Sequence, residues 1–456
     1  MTNSDSKAGK DADKRKVEKF LQSESGGRVT TGPAAVILFV VPLLWSLFQL
    51  WIASPLPYVF NFAVFNSTEA RSIHLAFATF LSFTAFPMMR GKDLDHVPVY
   101  DWILALAAAF AASYIYMFYT QLSSRPGAPN MQDMVVALGG LVLLLEATRR
   151  SLGLPLTVVA GVFIFYSLAG PYMPDVISHK GASLSKLASH QWLGTEGVFG
   201  VALGVSTSFV FLFVLFGALL ERAGAGNYFI KVAYALLGHM RGGPAKAAVV
   251  SSGLSGIISG SSIANVVTTG TFTIPLMKRV GFSDIKAGAI EVAASTNGQL
   301  TPPVMGAAAF LMVEYVGIPY IEVIKHAILP ALISYIALVY IVHLEACKMN
   351  MKGVERLNQP TLAQRALNWV VILLGLCILT FAVYYGIGWI KGQLGEDAIW
   401  VVSPLLLLAY IALVGYATRF PELEIDDPDA ALGDLPEVAP TVKTGLYFLL
   451  PVVVLI

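Results

Sequence analysis

The stretch between Lys246 and Lys278 constrains the fold most, because it is long, uncharged and bounded by basic residues at both ends. Its midpoint is a run of small and polar residues: Ser259, Gly260, Ser261 and Ser262. Such residues propagate a helix poorly. A full membrane crossing needs ~20 apolar residues, and neither half of this stretch supplies that many. We therefore predict a re-entrant helical hairpin over 246–278, which enters and leaves the membrane on the same side.

The composition places most of the chain in lipid. The 456 residues are 56% hydrophobic and only 13% charged, with a mean hydropathy of +0.69. Soluble domains carry about 25% charged residues. A net charge of +1 gives no argument for nucleic-acid binding. The two cysteines, Cys347 and Cys377, have neither metal-ligand spacing nor a paired framework.

Long apolar segments predict an all-α polytopic membrane protein. The predicted spans are 33–53, 72–89, 100–119, 132–149, 152–172, 197–220, 322–345, 366–390 and 398–418. Residues 1–32 form a polar, lysine-rich tail, and 421–441 form an acidic linker. The apolar run 442–456 stops after about a dozen residues, too few to cross. We expect the chain to be a fragment, cut inside this last transmembrane segment.

Basic residues predict the orientation. With the N-terminus in the cytoplasm and 246–278 as a hairpin, most of the 30 basic residues fall on the cytoplasmic side. A single crossing at 246–278 would instead place Lys348, Lys352 and Arg356 outside. The charge distribution therefore favours the hairpin and a cytoplasmic N-terminus.

A second break interrupts the segment 284–316. The run from Ser295 to Pro303 contains two prolines, which remove helix donors and disfavour helical geometry before them. Broken backbone is tolerated at membrane depth only where protein or water satisfies it, and carriers use such breaks to hold ions and anionic substrates. We therefore expect a broken helix here, and a transport function for the chain.

The two breaks should meet, because each frees polar groups that hydrocarbon cannot satisfy. Carbonyl, hydroxyl and amide oxygens suit a hard monovalent cation such as Na⁺, whereas a transition metal would need imidazole or thiolate. We expect Na⁺ as coupling ion, with no other cofactor. The expected ion- and substrate-binding residues are Ser259, Gly260, Ser261, Ser262, Asn265, Thr296, Asn297, Gly298, Thr301 and Pro302.

Glu291 is a separate candidate for a coupling role, because an acid at membrane depth is functional by default. It lies on the helix just before the second break and would serve as a proton carrier or a cation ligand. The alternative is a carboxylate near the interface that a neighbouring hydroxyl or lysine satisfies.

An alternative from another functional class is an intramembrane serine protease. Gly253-Leu254-Ser255-Gly256 has the G-x-S-G form of such nucleophile loops, and His326 or His343 would have to supply the base. Small-residue runs of this kind are also explained by helix packing alone. No phosphate-binding loop is present to indicate direct use of ATP.

Several sequence blocks together resemble the large membrane subunit of tripartite ATP-independent periplasmic (TRAP) transporters. The blocks are RGGPAKAAVV, SGSSIANVVTTGTFTIPLMKRVG and ASTNGQLTPPVMGAAAFLMVEYVGIPY. The likeness runs through about 151–350 and is nearest to the fused membrane proteins of the TAXI subgroup. It implies a small-subunit-like domain of four helices at 33–150, followed at 151–420 by the first part of a large-subunit-like transport domain.

The resemblance also implies a function. The family consists of secondary carriers of the prokaryotic inner membrane, in which a periplasmic substrate-binding protein delivers a small organic carboxylate and a sodium gradient drives symport. In the family, the hairpin tip and the broken helix jointly hold sodium beside the substrate. The family has a second, inverted copy of these elements that this chain lacks, so only the first half of an inverted-repeat transporter is expected here. A carrier that works without a binding protein stays open as an alternative.

Overall fold

The computed structural model is built of helices and contains no β-strand in the parts that it describes. These are residues 27, 28, 30–89, 96–354, 362–420, 435–448 and 450. The expected all-α polytopic fold is thereby confirmed. Most of the predicted tail 1–32, residues 421–434 of the predicted linker, and residues 449 and 451–456 of the last segment lie outside the described residues.

The described residues form two compact units, 1–212 and 213–456. Helices of the first unit are α1 Pro33–Ala53, α2 Leu56–Phe60, α3 Ser67–Ala85, α4 Val99–Met117, α5 Tyr119–Ser123, α6 Met131–Leu152, α7 Leu154–Ala169, α8 Leu184–Trp192 and α9 Val201–Val205. A π-helical turn, Ser206–Val210, leads into α10 Phe211–Arg222. Helices that follow are α11 Ala225–Leu237, α12 Gly243–Ser259, α13 Ser262–Arg279, α14 Asp284–Gly298, α15 Ala307–Met312, α16 Tyr320–Lys348, α17 Leu362–Leu394, α18 Ala398–Ala417 and α19 Val438–Lys443.

Seven of the described helical segments are long and apolar enough to cross a membrane. They are Pro33–Ala53, Val99–Met117, Met131–Leu152, Leu154–Tyr172, Val201–Arg222, Tyr320–Lys348 and Ala398–Ala417. Each coincides with a predicted span. The two other predicted spans, 72–89 and 366–390, correspond to the long helices α3 and α17.

A buried ion cluster organises one end of the first unit. The carboxylate of Asp101, in the first turn of α4, is fully buried between the guanidinium groups of Arg28 and Arg150. Arg28 also donates hydrogen bonds to the carbonyl oxygens of Phe83 and Thr84 at the end of α3. A buried charge is tolerated only when it is paired and hydrogen-bonded, so this cluster joins the residues before α1 to the ends of α3, α4 and α6.

In the second unit, α12, α13 and α14 pack against one another. One side of α12 consists of small residues that are almost fully buried: Ala245, Ala247, Ala248, Ser251, Ser252, Ser255 and Gly256. Small side chains let helix backbones approach closely, as is usual in membrane proteins. Around this contact lies an apolar core that includes Val249, Met277, Phe282 and Val342.

If the hairpin is re-entrant, both of its ends face the same side of the membrane. We expect cysteines at the exposed positions Arg241 and Lys278 to react with a membrane-impermeant maleimide only from the cytoplasmic side, in a background with Cys347 and Cys377 replaced. Val176→Cys, at a position 95% exposed and predicted to be outside, is the control for the opposite side. Reaction of Lys278→Cys from the periplasmic side alone would mean a single crossing.

Candidate functional site

The tip of the hairpin is a tight turn between two helices. α12 ends at Ser259, and Gly260 has φ 59°, the left-handed conformation that glycine adopts without steric cost. The Ser261 Oγ then accepts a hydrogen bond from the Ala264 backbone N–H at 3.3 Å and caps the start of α13. The run Ser259–Ser262 therefore ends one helix and begins the next, as the sequence predicts.

The second break begins where α14 ends at Gly298. The Thr301 N–H bonds to the Gly298 carbonyl at 3.0 Å and closes a turn. Pro302 and Pro303 follow, without an N–H to continue the helix. The chain resumes a helical path at Ala307. The helix predicted over 284–316 is therefore interrupted at the expected residues.

The two breaks lie in direct contact. A methyl group on Gly256 would overlap the Gly298 Cα, and a methyl group on Gly298 would lie 3.1 Å from the Gly256 Cα. At the tip, a methyl group on Gly260 would overlap the Met305 carbonyl oxygen, which belongs to the second break. Backbone therefore packs on backbone where α12 meets α14, and the tip of the hairpin contacts the second break.

Asn265 is the most informative side chain at this junction. It is completely buried, in the second turn of α13. Its Nδ2 lies 2.8 Å from the Ser252 carbonyl oxygen and 2.9 Å from the Ser252 Oγ. Because a carbonyl oxygen only accepts, the amide nitrogen must face Ser252, which fixes the orientation of the amide. The Asn265 Oδ1 then has no hydrogen-bond partner among the described residues.

Such an oxygen is unusual, since buried polar atoms are nearly always hydrogen-bonded. Gly298 lies beside the same amide group: a methyl group there would be 2.9 Å from the Asn265 Nδ2. A buried carbonyl-type oxygen without a donor, close to the C-terminal end of a helix, has the chemistry of a ligand for a hard cation.

Several of the other expected site residues do not direct a free polar group into the junction. The Thr296 side chain is exposed, and its hydroxyl bonds to the Val292 carbonyl at 2.7 Å within its own helix. The Thr301 hydroxyl bonds to the Asn297 carbonyl at 3.0 Å, and Pro302 is buried. The structure therefore brings Asn265 and Gly298 together, and Gly260 with the second break, whereas the Thr296 hydroxyl is occupied elsewhere.

Glu291 lies one turn before Ser295 on α14 and is fully buried. Its Oε1 accepts hydrogen bonds from the Thr269 Oγ at 2.5 Å and the Ser295 Oγ at 3.2 Å, and its Oε2 accepts one from the Thr273 Oγ at 2.5 Å. Both carboxyl oxygens are thus engaged by protein hydroxyls. This arrangement links α13 and α14 through the Glu291 carboxyl group.

Four residues of this region were not singled out by sequence reasoning: Ser252, Thr269, Thr273 and Ser295. The sequence feature that could have identified them is a spacing of four residues, which places side chains on one face of a helix. Asn265, Thr269 and Thr273 share a face of α13 in this way, and Glu291 and Ser295 share a face of α14. A polar stripe on a membrane helix predicts a buried network, but the sequence does not show which stripes face each other.

The serine-protease alternative is wrong. The Ser255 Oγ is buried and has no hydrogen-bond partner among the described residues, so no histidine lies in position as its base. The His343 Nδ1 instead contacts the Lys246 Nζ at 3.0 Å, and its Nε2 lies 3.6 Å from the Cys347 Sγ. His326 is exposed on α16. A nucleophilic serine requires a base within hydrogen-bond reach.

Comparison with known families decides the class of protein. The model of the family described as "Tripartite ATP-independent periplasmic transporter, DctM component" matches residues 139–419, which include the hairpin and both breaks. The chain belongs to this family. Membership in the TRAP transporters makes it a membrane component of a transporter and not an enzyme.

Curated relatives agree with this placement over part of the chain. The chain is 30% identical over 179 residues to the C4-dicarboxylate TRAP transporter large permease protein DctM of Pseudomonas aeruginosa, which is 38% of this chain and 40% of that protein. It is 28% identical over 227 residues to the protein of the same name from Vibrio cholerae, 48% of each chain. The isethionate TRAP transporter permease protein DctMQ of Oleidesulfovibrio alaskensis is 29% identical over 153 residues, 33% of this chain and 24% of that protein. The matched part spans less than half the length of each of these TRAP relatives.

Proposed function

We propose that this TRAP component forms part of the transport pathway for Na⁺-coupled uptake of a small organic carboxylate across the prokaryotic inner membrane. We also propose that its N-terminus lies in the cytoplasm. A periplasmic substrate-binding protein delivers the substrate. The observation that carries the proposal is the buried, unpartnered Asn265 Oδ1 at the contact between the hairpin and the second break.

The cation part rests on the oxygens gathered at the junction. α12 and α14 both end here, and the last carbonyls of a helix carry partial negative charge. The Asn265 Oδ1 adds a side-chain oxygen without a competing donor. Described residues form no group of three histidine, cysteine or acidic side chains that would hold a transition metal. Carbonyl and amide oxygens of this kind replace the hydration shell of a monovalent cation.

The substrate part rests on the start of α13. This helix of 18 residues begins at Ser262, inside the tip, and its first turn carries the positive end of the helix dipole. Half-helix N-termini at membrane depth bind the anionic groups of transported substrates. The C4-dicarboxylate in the names of two relatives supports a carboxylate.

The proposal is tested by uptake into proteoliposomes that contain the transporter. We expect uptake of the carboxylate bound by the cognate periplasmic protein only when an inward Na⁺ gradient and that protein are both present. An inward K⁺ gradient of equal size, as the control, should give no accumulation. Na⁺ should also raise the melting temperature of the purified protein relative to choline at the same ionic strength, since a ligand that binds the native state stabilises it.

Two results would contradict the proposal in different ways. Equal uptake without the soluble protein would indicate a carrier that works alone. Uptake that is driven by a pH gradient and does not depend on Na⁺, together with no effect of Na⁺ on the melting temperature, would show that the proposed sodium site does not exist.

A further inference from the structure

The charge of Glu291 has no counter-charge within the part of the chain that the structure describes. Its carboxyl group is fully buried, and its hydrogen-bond partners are three hydroxyls. The lysines of α12, α13 and α14 have other partners: Lys246 contacts His343, Lys278 pairs with Asp284 at 3.0 Å, and Lys286 pairs with Glu345. Burying an ionised carboxylate without a cation costs several kcal/mol.

The surroundings of Glu291 nevertheless offer donors that can stabilise the charged form. Three hydroxyls converge on its two oxygens, and hydrogen bonds of this kind favour the charged form. Gly270 provides the room: a methyl group there would lie only 3.2 Å from the Glu291 Cγ. The carboxyl group therefore lies directly against α13, at the one place where that helix has no side chain.

Two short hydrogen-bonded paths connect this carboxyl group to Asn265. The Thr269 Oγ lies 2.5 Å from the Glu291 Oε1 and 2.7 Å from the Asn265 carbonyl oxygen. On the other side, the Ser295 Oγ lies 3.2 Å from Oε1 and 3.1 Å from the Ser252 Oγ, which in turn contacts the Asn265 amide. One hydroxyl thus separates Glu291 from the Asn265 backbone carbonyl, and two hydroxyls separate it from the Asn265 side-chain amide.

We propose that the Glu291 carboxylate is the counter-charge of the cation that binds at Asn265. This rests on the proposed function. Glu291 acts as a positioning and charge-balancing residue behind the site: it does not touch the ion, and its negative charge compensates the ion across the hydroxyls that connect it to Asn265. At low effective dielectric, unit charges a few ångströms apart interact strongly. The junction with its bound ion is then electrically neutral, which lowers the free energy needed to bury the ion in the membrane.

The test is Glu291→Gln, which keeps the size of the side chain and removes the charge. We expect the Na⁺ concentration for the half-maximal increase in melting temperature to rise at least about tenfold. In Na⁺-free buffer the melting temperature should equal or exceed that of the wild type, because the variant no longer buries an uncompensated charge. The matched control is Glu314→Gln, which removes the same charge from an exposed position and should change neither value.

Each other outcome has a definite meaning. An unchanged Na⁺ dependence in Glu291→Gln overturns the inference and leaves a neutral carboxyl group that only makes hydrogen bonds. A lower Na⁺-free melting temperature with unchanged Na⁺ dependence also overturns it, because the role is then structural. If Glu291→Gln does not fold, Thr269→Val removes the connecting hydroxyl, and its Na⁺ dependence is judged in the same way. A wild-type protein that does not respond to Na⁺ defeats the proposed function itself.

Discussion

Replacing Gly256 by alanine should destabilise the second unit by about 3 kcal/mol, the upper part of the range for overpacking. The added methyl group would overlap the Gly298 Cα. Since the obstructing atom belongs to the backbone, no rotamer change relieves the clash, and α12 and α14 must move apart. The expected result is a lower melting temperature and loss of a monodisperse peak in size-exclusion chromatography.

Gly288→Ala is the matched control, because it adds the same methyl group to α14 at a position with no atom within 4 Å. Alanine is the better helix former by roughly 0.5–1 kcal/mol, so this variant should be as stable as the wild type or more so. Gly298→Ala should fall between the two, since its nearest contacts are 2.9–3.2 Å. Equal stability of Gly256→Ala and Gly288→Ala would show that the close contact is absent in solution.

Replacing Asn265 by leucine should remove most of the response to Na⁺. Leucine has similar size but lacks the Oδ1, and it leaves the buried Ser252 carbonyl without the donor that now lies at 2.8 Å. A lost interaction with a charged partner is worth ~1.5–3 kcal/mol, so the half-maximal Na⁺ concentration should rise about 10- to 150-fold. The measurement is the Na⁺ dependence of uptake and of the melting temperature.

Thr271→Val serves as the control for this variant. It removes a hydroxyl from an exposed position of the same helix, where the Oγ bonds only to the Thr268 carbonyl at 3.0 Å. Its Na⁺ dependence should equal that of the wild type. If Asn265→Leu also keeps the wild-type Na⁺ dependence while it folds normally, the cation does not bind at this junction.

The sequence predicts the hairpin and the broken helix well, because local chemistry determines both. Gly260 and Ser261 are the residues that end one helix and cap the next, and Pro302 and Pro303 cannot continue a third. The structure begins and ends these elements within a few residues of the predicted bounds. The family resemblance, drawn from the same two breaks, is confirmed by the match over residues 139–419.

The partners of individual side chains are not predictable in this way. Whether Thr296 or Asn265 faces the junction depends on the rotation of α14 and α13 about their axes, which the packing of three helices sets together. Thr296 proves to be exposed and Asn265 buried. Ser255 shows that a sequence motif can also mislead. The G-x-S-G pattern is visible in the sequence, but the distance from its serine to a histidine is not. The TAXI subgroup and the sodium site stay predictions.

The contact of Gly256 with Gly298 has a mechanical consequence. Side chains that interdigitate can exchange rotamers and slide, whereas two backbones in contact have no such freedom. We therefore expect the hairpin and the helix before the second break to move together in any conformational change of the second unit. We expect any bending to occur at the margins of this region, where Gly242 and Gly317 have φ values of 61° and 72° that few other residues adopt.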